Sequence, residues 1–159
     1  MDCGPTCLAM IARHYGLQAD REQLRQICAL GKSGVSLLGI SKAAEAFGFK
    51  SVGGLLTFAK LANEAPLPCI AHWDQNHFVV VHKVKKHRGG RYTVYVADPG
   101  RGLLSYTEAE FCEHWITSQM NGEGTGIVLL LEPTEAFYTQ EGQGTCRMTR
   151  SRVQFLWGY

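Results

Sequence analysis

The chain reads as an α+β domain, and three observations carry that reading. Apolar residues recur at helical spacing behind capping residues in the N-terminal third. Runs rich in valine and aromatic residues, bounded by Gly, Pro and Asp, follow near 69–73, 77–84, 91–97 and 126–132. The length of 159 residues, 45% of them hydrophobic, suits one globular domain with a modest core. Helices segregated from a largely antiparallel sheet make the class α+β, with a cleft expected between the two parts.

The elements follow in order. Cys3-Gly4-Pro5 opens the first helix, because proline is tolerated where the first-turn N–H groups lack partners anyway. Leu8, Ile11 and Tyr15 form its apolar face and Gly16 ends it. A second helix starts at Asp20, with Gln23 as capping-box partner and Leu24, Ile27 and Cys28 turned inward. Ser36 caps a third, carrying Leu37, Ile40, Ala44 and Phe47 up to Gly48. A short strand near 49–52 and a helix after Thr57 precede the proline-bounded segment 66–68. Thr107 and Glu110 form a capping box for a helix that buries Phe111 and Trp115. The polar segment 85–90 reads as the tip of a hairpin between the second and third strand runs.

Chemistry concentrates at three residues. Cys3 is expected at a helix N-terminus, an environment that favours a thiolate and aims backbone N–H groups at an oxyanion. A thiolate nucleophile needs a base, and the base needs an orienting partner. His77 opens one strand run, and Asp98 closes the next, ahead of the turn signal Pro99-Gly100. If Val84 pairs with Arg91, His77 lies directly opposite Asp98, within reach of an imidazole–carboxylate hydrogen bond. A two-residue turn at Gly89-Gly90 would slide the pair apart. Each residue also has a plainer reading: a core cysteine, an edge histidine, and ordinary Asp-Pro-Gly turn chemistry.

The motifs Asp2-Cys3-Gly4-Pro5-Thr6-Cys7-Leu8-Ala9-Met10-Ile11, Tyr15-Gly16, 68–73 (Pro-Cys-Ile-Ala-His-Trp), His77-Phe78-Val79-Val80 and Asp98-Pro99 resemble, in this order, the bacteriocin-processing cysteine peptidase domain of peptidase-containing ABC transporters. The resemblance runs from Asp2 to about Pro133 and implies a papain-like fold, a helical part packed on an antiparallel sheet with the active site in the cleft between them. It implies Cys3 as nucleophile, His77 as general base and acid, and Asp98 as the residue orienting His77. The implied partners are a double-glycine leader peptide and the transmembrane and nucleotide-binding domains of an ABC transporter. The implied location is the cytoplasmic face of the bacterial inner membrane. No cofactor or metal is implied. The family carries an oxyanion-hole glutamine six residues before its cysteine, and only two residues precede Cys3 in this sequence. The expectation is reduced activity for the chain as given, with Met1 an internal codon of a longer frame. A degenerate, non-cutting domain that docks cargo is the alternative, and a cysteine-dependent acyltransferase a third reading.

Composition narrows the field. A net charge of +2 gives no reason to expect nucleic acid as a partner. No secretory signal is read, and the longest apolar run, 127–131, is far too short to cross a bilayer. Six irregularly spaced cysteines do not make a disulfide framework, which fits a reducing, cytoplasmic compartment. Cys3 and Cys7 with His72 or His77 make a weak zinc motif, and Cys7 fits better as a core residue beside Leu8 and Ile11. The peptidase domain is therefore assigned to 1–133. Residues 134–159 read as a polar linker leading to Arg147, Arg150 and Arg152 and then to aromatics, a tether toward a membrane interface.

Overall fold

The structure, a computed structural model, describes residues 3–16, 36–74 and 76–137. The expected second helix at Asp20 and the basic–aromatic tail lie outside the described residues. The elements run α1 (Cys3–His14), α2 (Leu37–Ala46), β1 (Phe49–Thr57), α3 (Phe58–Asn63), β2 (Cys69–Trp73), β3 (His77–Lys86), β4 (Tyr92–Asp98), β5 (Gly102–Thr107), α4 (Glu108–Trp115), β6 (Ile116–Met120) and β7 (Glu123–Pro133).

Helices α2, α3 and α4 begin where side-chain chemistry says they should. Ser36 Oγ accepts the Gly39 N–H at 3.1 Å, and Thr57 Oγ1 accepts the Lys60 N–H at 3.3 Å. At α4 the capping box closes both ways: Thr107 Oγ1 accepts the Glu110 N–H and Glu110 Oε1 accepts the Thr107 N–H. Gly48 stops α2 with φ +92°, and a Cβ there would collide with the Phe137 backbone.

All strand pairs are antiparallel, in the order β1-β7-β2-β3-β4-β5, with β6 also on β7. Two of these strands, β5 and β6, were not expected from the sequence. Their inward positions are too few for an alternating pattern, since neither Gly102–Thr107 nor Ile116–Met120 buries any residue. Alternation along the sheet then makes two cores. On one face α1 and α2 bring Leu8, Ile11, Tyr15 and Ile40 against Ile70, Phe78, Val80, Leu129 and Leu131. On the other, α3 and α4 bring Phe58, Leu61, Phe111 and Trp115 against Ala71, Trp73, Val79, Val94 and Val96. The expected α+β class holds, with helices on both faces of the sheet rather than gathered on one side of it.

The β3–β4 register corrects the expectation. Val84 pairs with Val94, not Arg91, because β3 runs on to Lys86, inside the segment read as the tip, while β4 begins only at Tyr92. The turn itself is the three residues 88–90, closed by the Gly90 N–H on His87 O at 3.1 Å, with positive φ at Gly89 and Gly90. A bulge at His82 then shifts the ladder, so that Val81 pairs with Val96 and Val80 with Ala97. Continued one step, this register sets Asp98 across from Val79, on the same face as His77 and two residues along. Without the extra residue Asp98 would lie across from Val80, on the face of Phe78.

Candidate active site

The His77 side chain bridges that diagonal. His77 Nε2 lies 2.8 Å from Asp98 Oδ1. An ionised carboxylate only accepts, so Nε2 carries the proton and the Nδ1 lone pair is left for a proton from elsewhere. Asp98 is buried (5% exposed), while His77 stays 22% exposed. Burial pushes the Asp98 carboxyl up, but hydrogen bonds from His77 and the Gly100 N–H, with the charges of His77 and Arg101, outweigh it. Its pKa therefore ends below its ordinary 3.8. The Asp-Pro-Gly turn chemistry is present as well. Asp98 Oδ1 accepts the Gly100 N–H at 2.8 Å, and Asp98 O accepts the Arg101 N–H at 3.1 Å. One carboxylate thus holds its own turn and the imidazole together, so the plainer turn reading and the histidine contact are both present at Asp98.

Cys3 is the first described residue and the start of α1, 6% exposed. The same helix lies on β3 beside His77. Cys7, one turn on from Cys3, donates its thiol to Phe78 O at 3.3 Å, and Phe78 is the residue after His77. Burial, then the charges of Cys3 and Asp98, push the Cys7 thiol well above its ordinary value. Cys7 is therefore a protonated core group, and its thiol ties α1 to β3 at Phe78. Cys69 is pushed up to about 12 by burial, and Cys112 to about 11 by burial and the nearby Glu108. Among the described residues no three metal-binding side chains gather in a possible ion site.

His72 and Trp73 part company. Strand alternation turns the His72 ring toward Phe78, at 5.3 Å, and buries Trp73 among Phe111, Tyr106 and His114 on the other face. Next to Asp98 lies an open depression of about 380 Å³ between α1 and the β3–β5 strands. Met10, Val80, Ala97 and Leu103 give it an apolar lining, with His14, His82 and Asp98 as its polar members. Among the described residues no helix is long and apolar enough to cross a membrane.

Comparisons with known proteins identify the family of the chain and its fold. A family model described as the Peptidase C39 family matches residues 1–135. The chain is 34% identical over 139 residues to the lactococcin-G-processing and transport ATP-binding protein LagD of Lactococcus lactis, a match covering 83% of this chain and 18% of that protein. It is 32% identical over 157 residues to the colicin V secretion/processing ATP-binding protein CvaB of Escherichia coli, covering 99% of this chain and 20% of the relative. The chain thus spans about a fifth of the length of these relatives. Among solved structures it is similar to a double-glycine-motif protease from an AMS/PCAT transporter in complex with a leader peptide, with a TM-score of 0.69 and 32% identity, covering 84% of this chain and 85% of that one. The peptidase domain of Streptococcus ComA superposes with a TM-score of 0.67 at 26% identity, covering 84% of this chain and 92% of that one. These matches carry the papain-like fold with them, and the chain belongs to the Peptidase C39 family of cysteine peptidase domains.

Proposed function

We propose that this domain is a cysteine endopeptidase that cuts leader peptides after a double glycine, as the processing part of an ABC transporter that exports bacteriocin-like peptides. The observation that carries the reading is the 2.8 Å contact between His77 Nε2 and Asp98 Oδ1 on the strand against which the Cys3 helix docks. Asp98 fixes the tautomer, and the Nδ1 of His77 takes the Cys3 thiol proton. The thiolate attacks the carbonyl carbon of the second glycine, and the oxyanion is met by N–H groups at the start of α1. As the tetrahedral intermediate collapses, Nδ1–H protonates the leaving amine and the C–N bond breaks. Water, deprotonated by His77, then hydrolyses the thioester and returns the thiol.

The apolar depression beside Asp98 suits the hydrophobic face of an amphipathic leader helix. The names of the relatives support the transporter context, with transmembrane and nucleotide-binding domains as partners at the cytoplasmic face of the inner membrane. Residues 1–133 are the peptidase unit in this reading and 134–159 the tether.

The test is mass spectrometry of a double-glycine leader peptide incubated with the chain, with Cys3→Ala and with a version extended upstream to carry a glutamine. Cleavage after Gly-Gly that disappears in Cys3→Ala supports the peptidase. A faster extended version measures the additional oxyanion donor, worth about 10²–10³ in rate. Binding without cleavage in every version would make the domain a docking module.

A further inference from the structure

A second histidine–carboxylate pair stands outside the site, at the turn that delivers His77. His114, in the last turn of α4, places Nδ1 2.8 Å from Asp74 Oδ1 and 3.0 Å from Oδ2. The backbone repeats the tie, because the Asp74 N–H donates to His114 O at 2.9 Å. Asp74 holds φ +49°, a left-handed conformation that Asn, Asp and Gly tolerate best. Its carbonyl accepts the Asn76 N–H at 2.8 Å, one residue before β3 begins at His77.

The pair also reaches His77 through packing. The His114 ring stacks on Trp73 with centroids 4.8 Å apart and planes 15° from parallel. Trp73, 3% exposed, is the direct cross-strand partner of His77. Tyr106 closes the cluster, 5.4 Å from Trp73 and 5.8 Å from His114. It lies within the field of both Asp98 and Asp74. A core tryptophan would be satisfied by apolar packing alone, whereas the turn's backbone N–H needs an acceptor. The two independent hydrogen-bond ties to one helical residue instead fix where β3 starts.

We propose that His114 and Asp74 are positioning residues, which pin the β2–β3 turn and, through Trp73, set the His77 ring against Asp98. This rests on His77 acting as the general base. Three substitutions separate the ties. Asp74→Gly keeps the left-handed backbone and removes the acceptor. Asp74→Asn keeps both. His114→Phe keeps the stack on Trp73 and removes the Nδ1 donor.

The experiment combines steady-state cleavage of a double-glycine peptide with ¹³C–¹H spectra of histidine-labelled protein, the His77 Cε1–H peak being assigned by its loss in His77→Gln. In Asp74→Gly and His114→Phe the expected result is a kcat lower by about 10-fold or more with KM within about twofold, since small misplacements of a reacting group are costly. The double variant should be no slower than the slower single one. The His77 peak should move or broaden in both and stay in place in Asp74→Asn, which should also keep most of its kcat. A His77 peak in Asp74→Gly that superposes on the wild type overturns the proposal. So does an Asp74→Asn variant as slow as Asp74→Gly. The spectra read ring geometry without turnover, so a failure of every version, the glutamine-extended one included, to cut the peptide refutes the peptidase reading and leaves this test standing.

Discussion

At the scale of single residues, Asp98 shows how one side chain serves two needs. It accepts the Gly100 N–H for its turn and the His77 Nε2–H that the proposed chemistry uses, and the same oxygen takes both at 2.8 Å. Asp98→Asn leaves a carbonyl acceptor but no charge to favour an imidazolium, so kcat on a double-glycine peptide should fall about 10²-fold or more. The lowered pKa of Asp98 also has a sign for stability. A carboxyl held below its ordinary 3.8 contributes stability that is present above that value and is lost as pH falls through the folded value. Urea midpoints of the wild type should therefore exceed those of Asp98→Asn between about pH 5 and 7, and the two curves should converge in acid below the ordinary value. Cysteine reactivity is the third residue-scale outcome. Cys7, Cys69 and Cys112 are held as thiols by burial, so limiting iodoacetamide at neutral pH should label Cys3 ahead of those three, as read by peptide mapping.

At the scale of elements, caps and turns were legible because their signals are local. Ser36, Thr57 and the Thr107/Glu110 box sit within one turn of the groups they satisfy, and all three cap their helices. Thr107→Ala should cost about 1 kcal/mol in a urea titration, and with it loosen the helix that presents His114. The hairpin register was not legible. Valines and lysines alternate poorly through 81–86, so no apolar pattern marks the bulge at His82, and glycines at 89 and 90 fit a two-residue or a three-residue turn equally well. Assuming the wrong register still led to the observed pair, because an aromatic side chain such as histidine still reaches a diagonal neighbour, although it lies farther off than a direct one. The unexpected β5 and β6 were missed for a related reason. Edge strands with mostly exposed side chains carry no burial pattern of their own.

At the scale of the whole molecule, β7 joins the two cores. It pairs with β1, β2 and β6, giving Leu129 and Leu131 to the α1–α2 face and Val128 to the α3–α4 face. Gly126 in this strand lies under Trp115, so closely that a Cβ would collide with the indole ring, and Trp115 Nε1–H donates to Ile127 O at 3.1 Å. Gly126→Ala should therefore destabilise by about 1–3 kcal/mol through overpacking, with the urea midpoint as readout. Because the site lies across α1, β3 and β4, a loosened sheet should lower activity near the unfolding transition and leave it unchanged well below.

What the amino-acid sequence determined by itself was local: helix starts, the strand runs that bear His77 and Asp98, the place of Cys3 at a helix start, and the family those motifs resemble. Such features depend on residues within one turn or one strand of each other, and each leaves its mark in neighbouring letters. What only the tertiary structure decided was non-local. The bulge that puts His77 and Asp98 on one face, the docking of Cys7 on Phe78, and the His114–Asp74 tie all join residues distant in the chain. Their pairing follows from how two cores pack on opposite faces of one sheet, and no short-range pattern encodes that choice.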